Sequence, residues 1–152
     1  MRIVSSTILT SLVLILACSP SSKRPGELPG VILSSDQVKK TGLPGSTNPW
    51  TPTEGQIQEL EARLPDYLMS LKDPTAHLIA DSLITYHRQY LGLREGAKNL
   101  VYVNAFCQEH SSWPSNWKTE FVFVQDGGPC YFQVYYDPES KVFSRLAVNG
   151  DA

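Results

Sequence analysis

The sequence predicts an α+β fold, in which an N-terminal helix or helices pack on one face of a four- to five-stranded antiparallel meander sheet. Three observations carry this reading. Thr51-Pro52-Thr53-Glu54 has the makeup of a helix start and leads into apolar residues at helical spacing. The C-terminal half holds runs rich in Val, Phe and Tyr, the residues that suit a pleated and partly buried surface. Short turn signals separate those runs, too short for crossovers, so consecutive strands pair antiparallel.

Taken in order, Thr51 can cap the helix, Pro52 suits its first position and Glu54 can reach back as the third residue of a capping box. Ile57, Leu60, Ala62 and Leu64 supply an apolar face, with Glu59, Glu61 and Arg63 among them. Pro65 is expected to start a second short helical piece, with Tyr67, Leu68 and Leu71 inward, closed by Asp73-Pro74. Residues 76–93 mix signals. Leu78, Ile79 and Leu83 suggest helix, whereas Tyr86, Arg88, Tyr90 and Gly92 alternate as a strand does and turn at Glu95-Gly96. Leu100–Phe106, Glu120–Val124, Tyr131–Tyr136 and Val142–Val148 read as strands. The turns Asp126-Gly127-Gly128 and Asp137-Pro138-Glu139-Ser140 separate the last three.

The N-terminus has a different logic. Met1-Arg2 is a short positive start, and Ile8–Ala17 is an apolar run too short to span a bilayer, which takes about 20 residues. That run ends in Ile15-Leu16-Ala17-Cys18. The tetrad resembles the lipobox of bacterial lipoproteins: an aliphatic residue three before the cysteine, a small residue just before it, and the cysteine itself. Leu16 is larger than the small residue common at its place. The resemblance covers about twenty residues. It implies that residues 1–17 are a signal peptide cut between Ala17 and Cys18, and that Cys18 is lipidated and holds the protein to a membrane. Ser19 is not the aspartate associated with inner-membrane retention, so the implied address is the cell envelope, with the outer membrane favoured. Residues 18–50 are rich in Pro, Gly and Ser, with Pro-Gly pairs at 25, 29 and 44, and read as a lipidated flexible tether. Val31-Ile32-Leu33 is the exception, able to dock as a short strand or to stay loose. Residues 51–152 then form a single α+β domain of ordinary size.

Charge narrows the partners. The chain of 152 residues has a formal charge of -2 from 13 basic and 15 acidic side chains. Arg2 is the only charge before Cys18, so the mature chain stands at -3. Nothing in that balance favours nucleic acid or adsorption to an anionic bilayer. The lipid on Cys18 is the only evident anchor.

Cys107 and Cys130 are the other two cysteines. An oxidising compartment favours a bond between them. The expected strand order opposes it. With a strand at 120–124 between them, the two lie at opposite ends of the sheet, far beyond the ~7 Å that a disulfide allows between Cα atoms. A bond would show that strand order or register to be wrong.

The stretch 108–117 is the longest irregular one in the sheet half, and it is the candidate ligand or partner loop. Glu109 and His110 can do acid–base work, and Trp113 and Trp117 can stack on a ligand. Against this, the Trp rings can fold back on the core. His77 and His87 lack ligand spacing, so no metal site is expected, and no nucleotide or cofactor motif is present. The favoured function is a non-enzymatic binding module, of inhibitor or immunity type, directed at an envelope protein or polymer. The alternative is a small envelope hydrolase built on the 108–117 loop.

Overall fold

The folded unit begins well before residue 51, inside the stretch read as tether. A computed structural model describes residues 27–108 and 115–150. In chain order its elements are β1 (Gly30–Ile32), α1 (Ser35–Lys39), α2 (Glu54–Ser70), α3 (Pro74–Ser82), β2 (Tyr86–Glu95), β3 (Lys98–Cys107), β4 (Tyr131–Asp137) and β5 (Val142–Val148). Val31 and Ile32 pair with Gln89 and Tyr90, and Leu33 is fully buried. Ser34 caps α1 through a capping box with Gln37, and Val38 carries the helix into the core. Trp50 closes the segment. Its backbone bridges to Gly92, and its indole N–H is shared between the carbonyls of Leu93 and Leu100. A Cβ at Gly92 would collide with the Trp50 carbonyl oxygen. The glycine that blurs the strand signal is therefore what admits the neighbouring chain. From residue 30 onward the chain belongs to the α+β domain, which corrects the boundary at 51.

The five strands form one sheet in the order β1-β2-β3-β4-β5. Strands β2 to β5 are an antiparallel meander, but β1 lies parallel to β2, so the sheet is mixed. A parallel neighbour needs a long return connection, and α2 and α3 lie within it. Residues 86–93 are strand, as their alternation suggests.

Two helix expectations change. Thr53, not Thr51, caps α2, because it forms a complete capping box with Gln56. Pro65 does not start a new helix but sits within a continuous one. An interior proline forfeits a backbone bond at ~3 kcal/mol. Here Leu60, Leu64 and Leu68 are all fully buried on one stripe, so tertiary packing carries the helix through. Ala62, expected on the apolar face, is exposed.

Both faces of the sheet are covered. Ile57, Leu60, Leu64 and Leu68 of α2, with Ala76 and Ile79 of α3, pack against Tyr90, Val103, Phe132 and Val134. On the other face Leu33 and Val38 cover Leu91, Leu93 and Tyr102, and Trp117 and Val122 cover Phe106 and Tyr131. Two-sided burial explains why Leu100–Phe106 reads as a nearly unbroken apolar run.

Residues 120–124, expected as a strand, join no ladder. They cross the outer face of the sheet instead, and buried amide side chains hold their backbone. Gln89 Oε1 accepts from the Val122 N–H at 3.0 Å, and Asn104 Nδ2 donates to the Val122 carbonyl at 2.7 Å. Gln89 Nε2 donates to the Glu120 carbonyl and Asn104 Nδ2 to Gln89 Oε1. Farther along, Asn149 Nδ2 donates to the Val124 carbonyl. With that strand removed, β3 and β4 become direct neighbours, with Phe106 opposite Tyr131. Cys107 and Cys130 then meet at one end of the pair, 4.9 Å apart at Cα, and are disulfide-bonded. The strand order that opposed the bond was the error.

The edge strand β5 is irregular. Its ladder to β4 shifts register between Gln133 and Tyr135, and Arg145 takes φ 55°. The Arg145 guanidinium lies 4.6 Å from the Tyr135 ring centroid and grips Glu95 with two hydrogen bonds of 2.6 Å. Hydrogen bonding to Arg145 and its charge outweigh burial and hold the Glu95 carboxyl below its ordinary 4.5. A lowered carboxyl contributes stability above the unfolded value, lost as pH falls through the folded one. The stability gap between wild type and Arg145→Gln is therefore expected to close as the pH drops from about 6 to about 3. Urea midpoints across that range check it, and a gap independent of pH contradicts it.

Candidate functional site

His87 lies on β2 opposite Phe106 of β3, on the sheet face opposite α2 and α3. Trp117, on the returning stem of the 108–117 loop, stacks on the His87 ring at 4.3 Å between centroids and meets Phe106 edge-on at 5.7 Å. The Trp117 carbonyl accepts from Gln89 Nε2, and Lys118 Nζ lies 5.6 Å from the Trp117 ring centroid. The half-buried Trp117 ring therefore folds back on the core and does not stand clear as a stacking platform. Around it opens a cleft of about 800 Å³, lined by His87, Gln108, Trp117, Lys118, Glu54 and the strand-edge residues 27–32.

Each lining group has a local cause. Glu54 is the first residue of α2, where a carboxylate favours the positive end of the helix. Gln108 is fixed just past the disulfide by its backbone bond to the Thr85 carbonyl. The β1 edge is brought in by the pairing of residues 30–32 with β2. The cleft combines carboxylates, an ammonium, an imidazole and an indole, groups able to hydrogen-bond and pair with a polar ligand.

Of the residues singled out in the sequence, Trp117 lies in this cleft and Cys107–Cys130 forms the bond beside it. Glu109, His110 and Trp113 lie outside the described residues, as do Ala17 and Cys18. His87 and Glu54 were missed, because only the pairing of β2 with β3 and the start of α2 bring them to the loop. Among the described residues no three His, Cys, Asp or Glu side chains are grouped to hold a metal.

A second polar cluster is buried beneath α2. Arg88, with its side chain 4% exposed, lies with Nε 3.2 Å from Glu61 Oε1, near enough to pair as ions but not aligned as a hydrogen bond. Its terminal nitrogens donate to the carbonyls of Tyr86 and Leu83, and the Tyr90 hydroxyl donates to Glu61 Oε1 at 2.8 Å. Burial first, then the Glu61 charge, holds the Tyr90 phenol far above its usual range. The Glu61–Arg88–Tyr90 cluster ties α2 to β2.

No protein-family model, no curated protein and no solved structure matches this chain. Its fold class is α+β, with a mixed five-stranded sheet, and its function must be argued from its own residues.

Proposed function

We propose that the protein is a membrane-anchored envelope lipoprotein whose α+β domain is a non-enzymatic binding module, of the inhibitor or immunity type. Cysteine accounting carries this reading. The chain has three cysteines. Cys107 and Cys130 are bonded to each other, which fits an oxidising compartment. Cys18 is the one left over, and it stands where the apolar run Ile8–Ala17 ends. Lipid on that thiol accounts for both facts. Among the described residues no helix is long and apolar enough to cross a membrane, so the anchoring force in this reading is the acyl chains, at ~0.8 kcal/mol per buried methylene.

The corrected domain boundary changes the geometry of the anchor. Cys18 is nine residues from Glu27, the first lining residue of the cleft. Nine residues reach at most about 32 Å when fully extended. The domain is thus held within about its own diameter of the bilayer, with the His87–Trp117 cleft at the end where the tether enters. The expected targets are accordingly proteins or polymers at the membrane surface, and nucleic acid is not among them.

Cys18→Ala tests the anchor. In cells fed labelled palmitate, the variant is expected to lose the label and to accumulate as uncleaved precursor. Normal processing and membrane retention of the variant would overturn the reading.

A further inference from the structure

Ile84 is 75% exposed, in the 3₁₀ turn Leu83–Thr85 that joins α3 to β2. Leu78, six residues earlier on α3, is 64% exposed. The polar groups around Ile84 are paired within the fold. The Leu83 carbonyl accepts from Arg88 and from the Tyr86 N–H, the Ile84 carbonyl from Gln108 Nε2, and the Thr85 carbonyl from the Gln108 N–H. The Ser82 and Thr85 hydroxyls donate to the carbonyls of Leu78 and Ser82. An apolar tip on a backbone whose carbonyls are already paired can leave water at little polar cost. The strand registers say where this tip lies. Gly30 is level with Arg88, Tyr86 with Cys107 and Phe106 with Tyr131, so β1, β2 and β4 begin and β3 ends at one end of the sheet. Ile84 lies just before the start of β2, at that end, and the chain from Cys18 enters β1 at the same end.

We propose that this end of the domain rests on the bilayer that holds Cys18, with Ile84 entering the boundary between headgroups and acyl chains. The inference rests on the reading of Cys18 as lipidated and adds an orientation to it. The lipid keeps the bilayer within the reach of nine residues, at most about 32 Å. A covalent tether makes the contact intramolecular, so one or two apolar side chains suffice to favour it. They do not suffice for a second copy, since a stable dimer buries about 800 Å² on each partner, several times what two aliphatic side chains expose. Nor does the tether offer cover, because residues 19–26 hold no apolar side chain larger than proline. Docking sets the His87–Trp117 cleft, which Gln108 lines at this end, at the headgroup layer.

Photocrosslinking tests it, on the full lipidated protein reconstituted into phosphatidylcholine vesicles. The probe is p-benzoylphenylalanine in place of Thr85, which is exposed beside Ile84. It is expected to give about five times more lipid adduct than the same probe in place of Val142. Val142 is 56% exposed and pairs with Asp137 at the far end of the sheet. Ile84→Glu, a change at an exposed position that leaves the fold intact, is expected to cut the adduct at position 85 about fivefold. Equal yields from the two ends, a yield unmoved by Ile84→Glu, or adducts with protein in place of lipid would overturn the proposal. Intact mass before irradiation shows whether Cys18 carries acyl chains, so failure of the anchor and failure of the docking are read apart.

Discussion

Replacing Gln89 by alanine is expected to destabilise the native state by about 3–4 kcal/mol. Gln89 is fully buried and uses both ends of its amide. Its oxygen accepts from Val122 N–H and Asn104, and its nitrogen donates to the carbonyls of Trp117 and Glu120. Truncation orphans the Val122 N–H beneath the crossing segment and releases two carbonyls, at ~1–3 kcal/mol for each group left dry. Gln89→Glu keeps the shape but points a carboxylate at two carbonyl oxygens, and is expected to be no better tolerated. Urea unfolding measures both, and amide exchange at Val122 should quicken in parallel. A loss below about 1 kcal/mol would mean that water replaces Gln89 and that the segment is held by its apolar residues alone.

Glu61→Ala is expected to cost about 3–5 kcal/mol, because it leaves the Arg88 guanidinium buried without its counter-charge. The Tyr90 hydroxyl also loses its acceptor. The sharper result concerns the double variant. Replacing Arg88 by methionine at the same time removes the orphaned charge and retains an apolar stem. Glu61→Ala/Arg88→Met should therefore be more stable than Glu61→Ala alone. Thermal or urea unfolding of the three proteins decides it. A double variant less stable than the single would show that the Arg88 hydrogen bonds to Leu83 and Tyr86 outweigh the ion pair.

The fold class was legible in the sequence because local signals and burial agree over much of the chain. Tyr131–Tyr136 and Val142–Val148 alternate or carry β-branched residues, and Leu60, Leu64 and Leu68 keep helical spacing. Apart from the α2 cap, which a local Thr53–Gln56 capping box decides, long-range contacts settled what local patterns left open. Phe121-Val122-Phe123-Val124 has strand composition, yet it joins no ladder, and buried side chains, not a neighbouring strand, hold the backbone of Val122. Asn104 and Gln89 were the overlooked signals, two amides buried within β3 and β2, which in a core demand partners. The segment 30–50 looked like spacer because its Pro and Gly content is high, but Gly92 and the Trp50 indole only reveal their purpose once paired. Of the candidate site, Trp117 was visible as a residue type, whereas His87 and Glu54 reach it only through the sheet and the helix start.

The intact mass of the mature protein, purified from membranes of a diderm bacterium under non-reducing conditions, reads the anchor and the disulfide together. The expected chain begins at Cys18 and is heavier than the polypeptide by a diacylglyceryl group and any further acyl chain, with Cys107 and Cys130 two hydrogens lighter as a bonded pair. A mature chain that begins elsewhere, or one whose Cys18 thiol is free to react with iodoacetamide, would contradict it.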